Sequence, residues 1–362
     1  MQADTDDHQT FFKSALMVTS FKIISIQSLR AIAAIFVVYF HSQTILFTLV
    51  QNSNINLHSQ VQSFLKISGS FGVDIFFVVS GFIMVTTTWN SERTLDALLR
   101  FNKNRIIRII PLYWVYTIIY MLVGLLIIPG FGASITEESL ICSFFLIPYS
   151  NPFILPVGWT LTYELYFYLV FSFGFLVNRK ISIVGKCLFF VVCVISGFFQ
   201  NTKPSVMMDS ILLEFVYGIV IGVYYNKFRN INSYIGWIIL ICGILILYGF
   251  EFNQRYQGVL WGIPAACIVL WGLSRENVSH TVMKGKILTS LGDASYSLYL
   301  SHYVILVVCS FFVYFSGLYL VLNTDFLLFC LVGIVLFLNN CLYLRIELVI
   351  IGWFKMKAIE RA

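Results

Sequence analysis

Runs of about twenty apolar residues recur along the whole chain, and few folds accommodate them. In hydrocarbon every backbone polar group must be satisfied internally, which a helix achieves within its own segment. Ten runs meet that length, at residues 26–48, 71–88, 111–128, 158–177, 181–199, 208–225, 234–250, 256–273, 294–315 and 326–350. The stretch ICSFFLIP, Ile141–Pro148, is too short to cross and reads as a partly inserted or interfacial piece. Hydrophobic residues make up 59% of the chain and charged ones only 11%, well under the roughly 25% charge of a soluble domain. The expected fold is therefore an all-α integral membrane protein with about ten transmembrane helices. No Gly-, Pro- or Ser-rich linker interrupts it, and no repeat of about 20–50 residues stands out.

Lys and Arg orient these helices. Arg93, Arg100, Lys103, Arg105 and Arg108 follow the second run, and Arg179, Lys180 and Lys186 lie around the turn after the fourth. Lys227 and Arg229 follow the sixth, Arg275, Lys284 and Lys286 the eighth, and Lys355, Lys357 and Arg361 the tenth. The alternate loops hold only Lys66, Lys203 and Arg255. Cytoplasmic loops carry the excess of Lys and Arg, so both termini are expected in the cytoplasm. The net charge of +6 then reflects topology, and a nucleic-acid partner is not expected. The eight cysteines form no CxxC and no metal-ligand spacing with histidine; they read as small buried apolar residues. Residues 1–20 carry no signal-peptide pattern and read as an N-terminal extension, with Met17 as an alternative start. A membrane domain over 21–355 and a cytoplasmic tail over 356–362 complete the expected organisation.

Ionisable side chains inside such helices are costly, which makes each one a candidate for function. Arg30 and His41 lie eleven residues apart in the first run. Eleven helical residues rise roughly 16 Å and turn within about 20° of three full turns, so both side chains share a face. A cation at the cytoplasmic mouth can hold an anionic donor by its phosphates, and an imidazole at mid-membrane can move a proton near neutral pH. The structural alternative is an arginine reaching back to headgroups and a histidine bonded to a neighbouring helix.

Five segments then occur in order: the Arg30/His41 pair, FGVDIFFVVSGFIM (Phe71–Met84), RIIRIIPLYW (Arg105–Trp114), GWTLTYELYFY (Gly158–Tyr168) and LGDASYSLYLSH (Leu291–His302). Together they resemble the acyltransferase-3 family of membrane O-acyltransferases, over roughly residues 21–350, and most of all its exopolysaccharide and O-antigen acetyltransferase branch. The resemblance implies acyl-CoA as donor, a surface-glycan hydroxyl as acceptor, and essential roles for His41 and Arg30. No SGNH-type hydrolase domain of the kind some members carry is visible, so transfer is expected to finish within the membrane domain.

Roles follow residue by residue. His41 is the expected catalyst, either as general base toward the acceptor hydroxyl or as carrier of the acyl group itself. Arg105 and Arg108, spaced i, i+3, can clamp a phosphate from one helix face, and the family carries the same pair there. Ordinary positive-inside topology is their alternative explanation. Asp74, near the outer start of the second run, and Glu164, about two turns into the fourth, are carboxylates able to orient His41 or bind sugar hydroxyls, with Glu164 the stronger catalytic candidate and a helix–helix hydrogen bond as its alternative. Glu214 and His302 invite the same question. Asp293 is expected to cap the start of the ninth helix, and Arg345 and Glu347 to be structural. His8, His58 and His280 lie outside the spans with no visible role. The segment Pro129–Gly158 is the longest expected outward stretch, with four prolines, two acids and no Lys or Arg. With Trp159 and Tyr163 it is a candidate wall for a carbohydrate, although aromatic residues also gather at any membrane interface.

The expected protein is thus an O-acyltransferase of the bacterial inner membrane, moving an acyl group from acyl-CoA to a polysaccharide or polyprenyl-linked glycan. Acetyl is favoured over succinyl. Neither a metal nor a permanently bound cofactor is expected, acetyl-CoA being a co-substrate. A polytopic transporter or flippase for a lipid-linked sugar or anion is the rival reading, and a non-catalytic partner in glycan assembly a third.

Overall fold

The computed structural model describes residues 23–51, 70–148, 153–200, 205–278, 283, 285–343, 347, 349 and 352. The N-terminal extension, the C-terminal tail, His8, His58, His280 and Arg345 lie outside the described residues. The described chain is helical throughout, without a strand. Its main helices are α1 (Ile24–Gln51), α2 (Phe71–Thr88), α3 (Leu95–Ile127), α4 (Gly158–Phe173) and α5 (Arg179–Phe198). There follow α6 (Leu212–Val223), α7 (Ser233–Gly249), α8 (Gly262–Ser274), α9 (Ser295–Phe315) and α10 (Thr324–Leu342). Each of the ten apolar runs coincides with one of these.

Seven described helical segments are long and apolar enough to cross a membrane, α8 together with its lead-in from Gln254 among them. The other three are shorter: α4 has 16 residues, α6 has 12 and α7 has 17. At 1.5 Å per residue α6 spans only about 18 Å, less than a hydrocarbon core of roughly 30 Å. Conversely, α3 runs 33 residues without a break and begins well before the predicted 111–128. Its first half carries Arg100, Lys103, Arg105 and Arg108, and Pro111 stands where the apolar half begins. The cations thus extend an apolar helix as a rigid polar arm.

Sequence explains the helix starts. Thr94, Asn178, Asn232 and Asn323 each precede a helix and accept a bond from a first-turn amide. Such caps satisfy donors that would otherwise be orphaned where the chain turns. The short helix Glu137–Phe145 occupies the ICSFFLIP region, with Ile141 and Phe145 exposed. Asp293 does not cap α9 as expected. It ends a preceding helix, Lys286–Asp293, and Ala294 holds the cap position of α9 without a side-chain bond. The cysteines also divide: Cys142 is buried, but Cys242, Cys330 and Cys341 face outward on α7 and α10. An apolar thiol suits a lipid-facing surface as well as a core, so hydropathy alone did not separate the two.

Helix α2 forms the centre of the bundle, 72% of its span being buried against 28% for the peripheral α5. It packs on α1, α6 and α8. At its contact with α6 the backbones nearly touch: a Cβ on Gly81 would lie 2.3 Å from the Phe215 carbonyl oxygen, and one on Gly218 2.0 Å from that of Val78. Small residues permit this approach, which in a bilayer supplies much of the association. Aromatic stacking continues the seam, with Phe167 of α4 4.2 Å from Phe215 at 17° between planes. Gly218→Leu is therefore expected to destabilise the bundle by about 1–3 kcal/mol or more. The detergent-solubilised variant should unfold at lower temperature, while Gly185→Leu, at a helix position with open space around it, should not.

Candidate functional site

A cavity opens among α1, α2, α3, α4 and α9. Arg30 reaches it from the first turns of α1, and Arg105 and Arg108 from the polar arm of α3. Glu164 and Tyr168 enter from α4, Ser80 from α2, and Ser295, Tyr296 and Tyr299 from the start of α9. Arg30 and the distant pair Arg105 and Arg108 therefore converge on one space with a single carboxylate among its lining residues.

The local bonds hold these groups in place. Arg30 donates to Gln27 Oε1 at 3.1 Å, one turn before it. The Arg105 guanidinium lies over two rings, 5.4 Å from the centre of Phe101 and 5.3 Å from that of Tyr168. Such stacking directs a guanidinium's edge, with its N–H donors, away from the ring. Glu164 accepts a short bond from the Tyr168 hydroxyl, one turn further along α4, and a longer one from Ser80 at 3.4 Å. Tyr296 donates to the Ile109 carbonyl at 2.8 Å and ties α9 to the cationic arm. Asp293 and Glu347, assigned capping and structural roles from sequence, are electrostatic neighbours of Arg30, and Glu347 also of Arg108. The i, i+4 spacing of Glu164 and Tyr168 is a signal that sequence alone could have supplied; the roles of Tyr296 and Glu347 required the fold.

His41 lies deeper and does not line this cavity. Its ring is 5.2 Å from His302 and 5.1 Å from Tyr303, both on α9. His302 is fully buried, with Nδ1 3.0 Å from the Leu298 carbonyl oxygen. A carbonyl only accepts, so Nδ1 bears the proton and Nε2 presents a lone pair. That Nε2 is buried without a partner. Tyr299 lines the cavity and lies 5.8 Å from His302 and 6.1 Å from Phe76, its hydroxyl bonded to Thr160 at 2.6 Å. The site thus joins a cationic vestibule, through the Tyr299 ring, to an imidazole pair.

The remaining candidates form a separate polar cluster. Asp74 is fully buried and accepts from Gln257 at 3.0 Å, with Glu214 as its carboxylate neighbour. Tyr163 donates to Asp209 at 2.9 Å and packs edge-on against Trp159 at 5.8 Å. Asp74, Trp159 and Tyr163 thus lie outside the lining of the cationic cavity. Among the described residues no group of three or more His, Cys, Asp and Glu is disposed to hold a metal ion.

Comparison with known proteins matches these elements to a family. A family model described as an acyltransferase domain matches residues 23–342. The exopolysaccharide production protein ExoZ of Rhizobium meliloti (strain 1021) is 31% identical over 248 residues, covering 65% of this chain and 75% of that protein. The peptidoglycan O-acetyltransferase OatA of Listeria monocytogenes serovar 1/2a is 25% identical over 327 residues, 78% of this chain. There the match spans about half of the relative's length, 49%. The acyltransferase MdmB of Streptomyces mycarofaciens is 24% identical over 276 residues, 66% of this chain and 68% of that protein. No solved structure matches the chain. The family match takes in the cationic vestibule and both histidines, and the chain belongs to the acyltransferase-3 family.

Proposed function

We propose that this protein transfers an acetyl group from cytoplasmic acetyl-CoA to a hydroxyl of a bacterial surface polysaccharide or its lipid-linked precursor. The observation that carries the proposal is the convergence of Arg30, Arg105 and Arg108 on one cavity directly before the His41–His302 pair. Coenzyme A bears a pyrophosphate and a 3′-phosphate, and guanidinium forks match phosphate oxygens. The relatives named for exopolysaccharide production and peptidoglycan O-acetylation support a glycan acceptor. In this reading the chain crosses the inner membrane ten times with both termini in the cytoplasm, which puts the vestibule on the donor's side.

The chemistry needs one proton transfer and one acyl transfer. The acceptor oxygen attacks the thioester carbonyl while His41 takes its proton. The C–S bond then breaks, the new C–O ester forms, and the imidazolium returns the proton to the departing CoA thiolate. Glu164, held by Tyr168 and Ser80, balances the cations of the vestibule and keeps them oriented. Movement of the Tyr299 ring, which touches both the cavity and His302, would admit the pantetheine arm towards His41. The alternative route, an acyl-histidine intermediate, uses the same residues in two steps.

The reading is tested in a glycan-competent host with and without this chain. Isolated surface polysaccharide should gain an alkali-labile acetyl signal by NMR only when the chain is present, and label from acetyl-CoA should appear in that ester. A host that makes the glycan but gains no ester, with no CoA released in its membranes, would sink the proposal. Tyr168→Phe removes one hydrogen bond to a carboxylate while keeping the ring under Arg105. It is expected to lower kcat/KM about tenfold, consistent with about 1.5 kcal/mol for such a bond, at unchanged thermal stability.

A further inference from the structure

A second, narrow cleft lies where the end of α2 meets the end of α4 and the start of α5. Its lining includes Trp89, Arg93, Arg179, Ser182 and Lys186, and no Asp or Glu. Lys186, within the predicted run 181–199, lies in α5 and is only 7% exposed. Its ammonium sits 3.4 Å from the centre of the Phe171 ring. Arg179 lies over Trp89 at 4.7 Å, and Arg93 over Phe175 at 5.4 Å while donating to the Gly174 carbonyl. Burial, and then the charge of Arg179, push the Arg93 guanidinium below its usual value, and Arg93 in turn acts on Lys186. Mutually repelling cations are thus held together, two of them over aromatic rings at under 5 Å.

Two polar atoms here are buried without a partner: Arg179 Nε and the hydroxyl of Ser182, a residue only 4% exposed. Three cations, an unmatched N–H and an unmatched hydroxyl surround one space beside the N-terminus of α5, whose dipole also favours an anion. Such a set matches the several oxygens of a phosphate better than the two of a carboxylate. The outward faces of α4 and α5 beside it are apolar, with Phe173, Ile181, Val184 and Leu188 exposed as lipid-facing residues would be.

We propose that this second cavity binds a phosphate ester, independently of the vestibule and of the transfer reaction. An anionic phospholipid headgroup at the membrane surface and a soluble phosphate ester are the two sources of that group. Binding there would neutralise the repulsion among Arg93, Arg179 and Lys186 and fasten the peripheral α5, 28% buried, to the end of α2. Basic pockets between membrane helices are suited to such headgroups.

The test uses the purified full chain in a neutral detergent, carrying Arg105→Gln/Arg108→Gln so that the vestibule contributes little. Its unfolding temperature is followed on titration with dihexanoyl-phosphatidylglycerol, dihexanoyl-phosphatidylcholine and 3′,5′-ADP. Phosphatidylglycerol or 3′,5′-ADP should raise the unfolding temperature, and further Arg93→Gln/Arg179→Gln substitution should weaken that effect at least about tenfold. A response to phosphatidylglycerol alone identifies the lipid as source, and one to 3′,5′-ADP a soluble ester. If the added substitutions prevent folding, Lys186→Met, which keeps the apolar stem, replaces them. The proposal is overturned if neither anion stabilises the protein, or if the cavity variants titrate as their parent does.

Discussion

His41→Ala, at wild-type abundance in the membrane, is expected to lower acetyl transfer by about 10³-fold and leave surface polysaccharide without alkali-labile ester. Removing a general base typically costs 10²–10⁴ in rate. The ring lies three helical turns beyond Arg30 on α1 and against His302 of α9, at the deep end of the site. His302 does not replace it: its Nδ1 is committed to Leu298, and it is fully buried where His41 is partly accessible. The measurement is the ester content of isolated glycan, with acetyl-CoA hydrolysis in the same membranes as a control on donor binding. Retention of wild-type ester content in His41→Ala removes the histidine from the mechanism. One addition separates the two routes. Without acceptor, an acyl-histidine intermediate releases one CoA per protein in a burst, whereas direct transfer releases none.

The second large effect belongs to the cationic arm of α3. Arg105→Gln/Arg108→Gln is expected to raise the KM for acetyl-CoA by about 10²-fold while kcat falls much less. Charge-assisted bonds contribute about 1.5–3 kcal/mol each, and the two residues act on one ligand, so their effects should not simply add. A KM effect is expected because the phosphates lie far from the reacting carbonyl and stay bound through the reaction. Lysine at both positions should restore only part of the affinity, since an ammonium is a point charge without the planar fork. Equal loss of kcat and kcat/KM would instead place the arginines at the transition state. Arg108 is well exposed and glutamine is a good helix former, so the arm should keep its helix after substitution.

Much of this architecture was legible in the chain itself, for identifiable reasons. The apolar runs located every main helix, because hydrocarbon length and backbone satisfaction leave a helix as the available form. The eleven-residue spacing put Arg30 and His41 on one helix, α1, where Arg30 lines the cavity and His41 meets His302. The i, i+3 spacing of Arg105 and Arg108 gave a shared face, and both line one cavity. Errors arose where a boundary or a facing direction mattered. Asp293 looked like a cap because polar residues favour helix starts, yet the chain turns one residue later. Lys186 counted as positive-inside charge, yet its side chain is buried two turns into α5 over the Phe171 ring, a facing direction that spacing alone did not reveal.

The sequence by itself therefore determined a helical membrane protein, its family resemblance, and which ionisable side chains lie within its apolar helices. Those features depend on local composition and spacing, which a membrane constrains strongly. Only the tertiary structure decided which candidates share a space. It gathered Arg30, Arg105, Arg108 and Glu164 around one vestibule and set His302 beside both His41 and Tyr299. It also withdrew Asp74 and Tyr163 into a separate polar cluster. The reason is that lipid offers little preference for how helices rotate and pair. Those choices rest on close contacts such as Gly81 and Gly218 between α2 and α6, between residues more than a hundred positions apart.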